Sequence, residues 1–165
     1  KQFGELGNEE GSLLADSRIL SLCCSPTECT VTCSTVNSEG LAKLLLYDIK
    51  SRKLEHSYTF GENHSGLTVN CCLFNHNGSL LIVGCSDGTV RSIDLRNSEC
   101  IETWEVHNGS VYAIHLTPDH NTCYSLGADH KFHRINLAQK GELVFSASLQ
   151  NCHTVHGTQG FSLHQ

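Results

Sequence analysis

The segment Cys85-Ser86-Asp87-Gly88-Thr89-Val90-Arg91-Ser92 separates a cysteine from an Arg-Ser pair by five residues. That is the spacing of a cysteine-dependent phosphatase loop, in which backbone amides and an arginine hold phosphate while a low-pKa thiolate attacks it. Two local features oppose the reading. Gly84, not a histidine, precedes Cys85, and Ile93-Asp94-Leu95 has the character of a strand, not of a helix whose N-terminus would stabilise the anion. A phosphatase using Cys85 and Arg91 is thus the alternative to a non-enzymatic chain. No motif arranges a serine, a histidine and an acid into a catalytic triad.

Metal ligation is the second chemistry that the residue types suggest. Cys23, Cys24, Cys29 and Cys33 are close in sequence, as are Cys71, Cys72 and His76, His130 and His133, and Cys152, His153 and His156. Zinc needs ligands that converge on one point, whereas adjacent residues of a strand point to opposite faces. The expectation is buried thiols and surface histidines, with no metal or other cofactor; the group at Cys152, His153 and His156 is the more open to one. Ten cysteines in 165 residues sit among strand-like apolar residues, as free core thiols of a reducing compartment do. The acceptor-like triplets at Asn63, Asn77 and Asn108 are read as turns. Of the eleven histidines, most are expected to be solvated or in turns, His107 excepted. Lys50-Ser51-Arg52-Lys53 is a basic cluster that suits a hairpin turn better than a lipid headgroup site.

The elements that must carry these residues repeat along the chain. Ile19 to Pro26 aligns with Val69 to His76 and with Val111 to Pro118, each an extended run ending in a turn. Leu45-Leu46-Tyr47-Asp48-Ile49 aligns with Arg91-Ser92-Ile93-Asp94-Leu95 and with His133-Arg134-Ile135-Asn136-Leu137. Val69 and Val111 are 42 positions apart, as are Asp94 and Asn136, while Asp48 and Asp94 are 46 apart, so the first unit has a longer loop. In the middle unit, 69–74, 80–85, 89–95 and 100–106 are short runs of β-branched, aromatic and apolar residues. Asn77-Gly78, Asp87-Gly88 and Asn97-Ser98 punctuate them as turns. Four strands per unit of this length is the spacing of a β-propeller blade.

These units resemble the WD-repeat propeller family. Tyr47-Asp48, Ile93-Asp94 and Ile135-Asn136 stand where the Trp-Asp pair would be, and Asp87 and Asp129 occupy the tight turn of the structural aspartate. The resemblance implies a buried hydrogen-bond network of His107, Ser125 and Asp129 in the third unit, with Ile135 at the tryptophan position. His64 and Asp87 match in the second unit, where Val83 replaces the hydroxyl residue and should weaken or remove the network. Trp104, the one tryptophan, lies on the outer strand of the middle unit and could anchor a partner or pack into a neighbouring blade.

The implied fold is all-β: an incomplete WD-repeat propeller of about three four-stranded blades. Its parts are a flank at 1–17, blades at 18–60, 61–106 and 107–149, and a tail at 150–165. Roughly residues 18–149 resemble an endosomal branch of the family, through Arg18 to Leu22, Leu44 to Asp48, Phe74 to Leu81, Glu99 to Trp104, His107 to Val111 and Tyr124 to Gly127. That likeness implies a scaffold on the cytosolic face of early and late endosomes. It would restrain phosphatidylinositol 3-kinase and promote early-to-late conversion, with a second WD-repeat protein and a late-endosomal Rab GTPase as partners.

Composition fits one packed domain. A formal charge of −6 argues against a general nucleic-acid binder, and 39% hydrophobic with 17% charged residues suits a packed domain. No apolar run approaches the roughly 20 residues of a membrane-spanning helix. With no Met and no long apolar start, the sequence is expected to be a fragment without a secretory signal.

Overall fold

Runs of valine, isoleucine, leucine, threonine and cysteine, broken every six to eight residues by turn formers, fold as antiparallel strands. The computed structural model describes residues 17–60, 66–139 and 141–149. Twelve strands form three four-stranded sheets. The first blade comprises β1 (Ser17–Cys24), β2 (Thr30–Asn37), β3 (Ala42–Asp48) and β4 (Lys53–Phe60). The second comprises β5 (Val69–Phe74), β6 (Leu80–Cys85), β7 (Thr89–Asp94) and β8 (Glu99–Glu105). The third comprises β9 (Val111–Leu116), β10 (Thr122–Gly127), β11 (Lys131–Asn136) and β12 (Glu142–Ser148), with one 3-10 turn at Leu137–Gln139. Within each sheet the strands are hydrogen-bonded in chain order. The fold is that of a propeller whose ring is open.

The repetition extends to irregularities. In each outer hairpin the register skips one residue of the last strand: Glu55 against Leu46/Tyr47, Ile101 against Ser92/Ile93 and Val144 against Arg134/Ile135. Each first strand carries a second bulge, at Leu20, Asn70 and Tyr112. Left-handed backbone recurs likewise, at Gly40, Gly88 and His130 between the second and third strands, and at Arg52, Ser98 and Gly141 between the third and fourth.

Stacked blades cover both faces of the inner strands, so β6 is apolar throughout. Leu81, Val83 and Cys85 enter a core shared with Leu44 and Phe60 of the first blade. Ile82 enters a second core, shared with Val111, Ile114 and Ile135 of the third blade. Cys71 and Cys72 divide between these two cores, as the two-residue period of a strand requires.

Trp104 packs between the second and third blades. It is 9% exposed and lies in the second core. A Cβ on Gly141 would collide with its indole ring, so this positive-φ glycine at the β11–β12 turn leaves room for the ring between the blades. The expectation of surface histidines fails at His133, which is 4% exposed and packs its ring on His107.

Candidate functional site

The polar centre of the molecule is built around the β8–β9 connection, which carries His107 into the third blade. Asp129, in the β10–β11 turn, accepts the Lys131 amide at Oδ1 and the Asn108 amide at Oδ2, each at 3.1 Å. Those two contacts aim the carboxylate at His107, whose Nδ1 lies 2.9 Å from Oδ1. On the other side of the ring, Nε2 lies 2.8 Å from Ser125 Oγ on β10. Burial tends to raise the Asp129 pKa, but the Asn108 amide, the His107 ring and the Lys131 amide outweigh it and hold the carboxyl below its ordinary range. Burial likewise lowers the His107 pKa, outweighing the neighbouring carboxylate. An ionised acid beside a neutral ring places the ring proton on Nδ1; Nε2 then accepts from the Ser125 hydroxyl.

Ser, His and Asp are therefore linked in the order of a hydrolase triad. The chemistry does not follow from the order alone, because Ser125 is 0% exposed and the His107 side chain is equally sealed. No reacting carbonyl has a path to the hydroxyl in this geometry. The arrangement acts as a lock between the connection, β10 and the tight turn.

Sequence reasoning did not foresee a fourth member. His133 pairs in register with Ser125 and packs on His107 with ring centroids 4.5 Å apart, tilted by 50°. Its Nδ1 is buried without a hydrogen-bond partner among the described residues. His107, Asp129 and His133 offer donor atoms within 4.8 Å of one another. Both ring nitrogens of His107 are already committed, to Asp129 and to Ser125, so the set fits a hydrogen-bond network better than a metal. The signal in the sequence was alignment: His133 stands at the position of Arg91 and Leu45 in the other units, on the strand facing the hydroxyl residue.

The second blade solves the same position differently. Val83 faces Arg91 in register, as Ser125 faces His133. Asp87 accepts the Thr89 amide at 3.0 Å and the Thr89 hydroxyl at 2.6 Å, and pairs with the Arg91 guanidinium at 2.7 Å. Burial opposes ionisation of Asp87, yet Thr89 and Arg91 together keep its pKa low. His64 lies outside the described residues. In the first blade Cys33 faces Leu45, and the position is apolar.

The phosphatase reading fails on the same geometry. Cys85 ends β6, is 0% exposed, and burial pushes its thiol pKa up to about 12, opposite to what a nucleophile needs. Arg91 is held by Asp87 and by the Thr89 hydroxyl at 3.0 Å, and β7 begins where a phosphatase would need a helix.

At the Trp-Asp positions, Asp48, Asp94 and Asn136 each accept the amide two residues on, at 2.7, 2.9 and 3.1 Å. They cap the outer turn in all three blades, and the preceding Ile93 and Ile135 are fully buried.

The WD40 domain of anaphase-promoting complex subunit 4 matches residues 41–119. WD repeat-containing protein 91 of Pongo abelii is 35% identical over 151 residues, covering 80% of this chain. The Gallus gallus protein of that name is 37% identical over 143 residues, covering 75%. The chain belongs to the WD-repeat family. The likeness reaches the Dictyostelium discoideum homolog of WD repeat-containing protein 91, 30% identical over 127 residues and 77% of this chain. The WD-repeat chain spans about a fifth of the length of these relatives: 21%, 19% and 16% respectively. Among solved structures, the RRP9 WD40 repeats superpose on it with a TM-score of 0.67 at 16% identity, covering 83% of this chain and 43% of that one. A chain of the mitotic checkpoint complex gives 0.68 at 20% identity, covering 82% and 38%. At such identities these two speak for the WD-repeat fold alone.

Proposed function

We propose that this WD-repeat chain is part of a non-enzymatic scaffold on the cytosolic face of early and late endosomes. It would restrain phosphatidylinositol 3-kinase activity and so promote early-to-late conversion. The observation carrying the proposal is the identity of about 35% with WD repeat-containing protein 91 over 80% of the chain. The physical support is consistent with it: the network around His107 stiffens a blade without offering a substrate path, and stacked blades hold their loops as a rigid platform. No helix of the described residues is long and apolar enough to cross a membrane. Attachment would run through protein partners. Those partners are a second WD-repeat protein, a late-endosomal Rab GTPase and the phosphatidylinositol 3-kinase complex.

The test is affinity capture from cytosol with the full-length protein, blotted for each partner, with the Rab loaded with a GTP analogue or with GDP. Retention of the WD-repeat partner and of the GTP form alone is expected. A folded full-length protein that retains neither would remove the endosomal role and leave the scaffold fold.

A further inference from the structure

Two thiols from different blades meet in the first inter-blade core. Cys23, on β1, and Cys72, on β5, have their sulfurs 3.4 Å apart. They are 49 residues apart in sequence and belong to separate Cys-Cys pairs, each of which splits across its own strand. Ser21, also on β1, brings its hydroxyl to 3.5 Å from Cys72 Sγ.

The repeat provides a control. In the alignment of first strands, Cys23 corresponds to Leu73 and Cys72 to Ile114. Leu73 and Ile114 accordingly lie together in the core between the second and third blades. The equivalent pair of positions is thus aliphatic at one interface and dithiol at the other. Packing alone is met by leucine and isoleucine, so the sulfur pair adds a chemical capacity that the neighbouring interface lacks.

We propose that Cys23 and Cys72 are a modification site, closing into a reversible disulfide between the first and second blades when the protein meets a hydroperoxide. The sulfurs must approach by about 1.4 Å to reach the roughly 2.0 Å of an S–S bond. The two positions are unequal. The Cys23 thiol, and then the Ser21 hydroxyl, favour the thiolate of Cys72 strongly enough to overcome its burial. The hydrogen bond to Cys72, with burial, keeps the proton on Cys23. Cys72 is 3% exposed and Cys23 half-buried, so hydrogen peroxide reaches the pair when the seam between the two blades opens; Cys72 is then the attacking sulfur and Cys23 the resolving one.

The Cys72 thiolate attacks one oxygen of hydrogen peroxide; an S–O bond forms, the O–O bond breaks, and hydroxide leaves. Hydroxide takes the proton of Cys23 as water. The Cys23 thiolate then attacks Cys72 Sγ, forming the S–S bond and expelling the second oxygen as hydroxide, which takes up the proton first lost by Cys72. Two thiols are oxidised by two electrons in all, and one peroxide becomes two waters. A dithiol reductant reverses the step by thiol exchange.

The experiment treats the native full-length protein with hydrogen peroxide, blocks remaining thiols with N-ethylmaleimide, and maps unreduced peptides by tandem mass spectrometry. Trypsin leaves Cys23 on the peptide 19–43 and Cys72 on 54–91. Fragmentation between Cys23 and Cys24, and between Cys71 and Cys72, then identifies the linked sulfurs. The expected result is a Cys23–Cys72 cross-link, 2 Da lighter than the reduced pair and lost with dithiothreitol. In Cys23→Ser, which removes the resolving sulfur but keeps a hydrogen-bond donor beside Cys72, Cys72 should instead accumulate a sulfenic acid that dimedone traps. Cross-links confined to the exposed Cys24, Cys29 and Cys100, or Cys72 fully alkylated after unfolding of the treated wild type, would overturn the proposal whatever the variant does.

Discussion

Gly88 and His107 are joined main chain to main chain across the second and third blades: the His107 amide donates to the Gly88 carbonyl at 3.0 Å. The Val106 amide shares that carbonyl at 3.2 Å. The turn after β6 thereby sets the height at which the connection delivers the His107 ring. A side chain at Gly88 would collide with the His107 carbonyl oxygen, while at Gly40, equivalent in the first blade, it would meet no atom of the described residues within 4 Å.

The first prediction uses that contrast. Both glycines have positive φ, 88° and 82°, so alanine strains either by about 1 kcal/mol. Gly40→Ala should cost only that. Gly88→Ala must also displace backbone and should lose about 3 kcal/mol or more in urea unfolding. Equal costs at the two sites would show that the contact does not position the connection.

The buried histidines predict a pH dependence of stability. Burial lowers the pKa of His107 in the fold, and burial followed by the nearby His107 lowers that of His133. The unfolded chain therefore binds protons near the ordinary value of 6.5 while the folded chain does not. Stability is complete above that pH and falls as pH drops through it, by at most about 1.4 kcal/mol per pH unit for each group. His133→Phe should flatten the slope between pH 7 and pH 5. An unchanged slope would mean that His133 does not titrate with unfolding.

Ser125→Ala removes the hydroxyl that His107 Nε2 faces and leaves a buried ring nitrogen unsatisfied. A loss of about 1–3 kcal/mol is expected. Val83→Ala, at the equivalent apolar position of the second blade, removes methyls without orphaning a polar atom. Unfolding of the two variants at low and neutral pH separates the effects: the Ser125 variant alone should change its pH response.

Trp104 makes the second interface visible by fluorescence. Packed between blades, it should emit at short wavelength in the native protein and shift to the red on unfolding. Trp104→Ala should cost about 3–5 kcal/mol. Native emission already at the solvent-exposed position would contradict the packing against Gly141.

The blades were legible because strand period, turn residues and the 42-residue step all mark the same boundaries. His107, Ser125 and Asp129 could be named because each occupies a fixed place in the repeat. What the chain does not announce is which faces of separate sheets come to rest on one another. Alternation separates Cys71 from Cys72, but the meeting of Cys72 with Cys23 depends on how two blades stack. His133 was obscured for a related reason: a charged or polar residue on a strand reads as solvent-facing until the sheet covering it is known. Trp104 allowed two readings, and the space left by the distant Gly141 favours the buried one.

The skipped residues Glu55, Ile101 and Val144 leave each outer strand with only two register pairs beyond the break. A bulge bends and twists its strand, so the free rim of every blade presents two short, misaligned rows of amides and carbonyls in place of one long row. Extended peptides that bind by adding a strand need the long row. Recognition along the rim is thereby steered toward side chains, and the same interruption that shapes each blade guards it against indiscriminate pairing with another sheet.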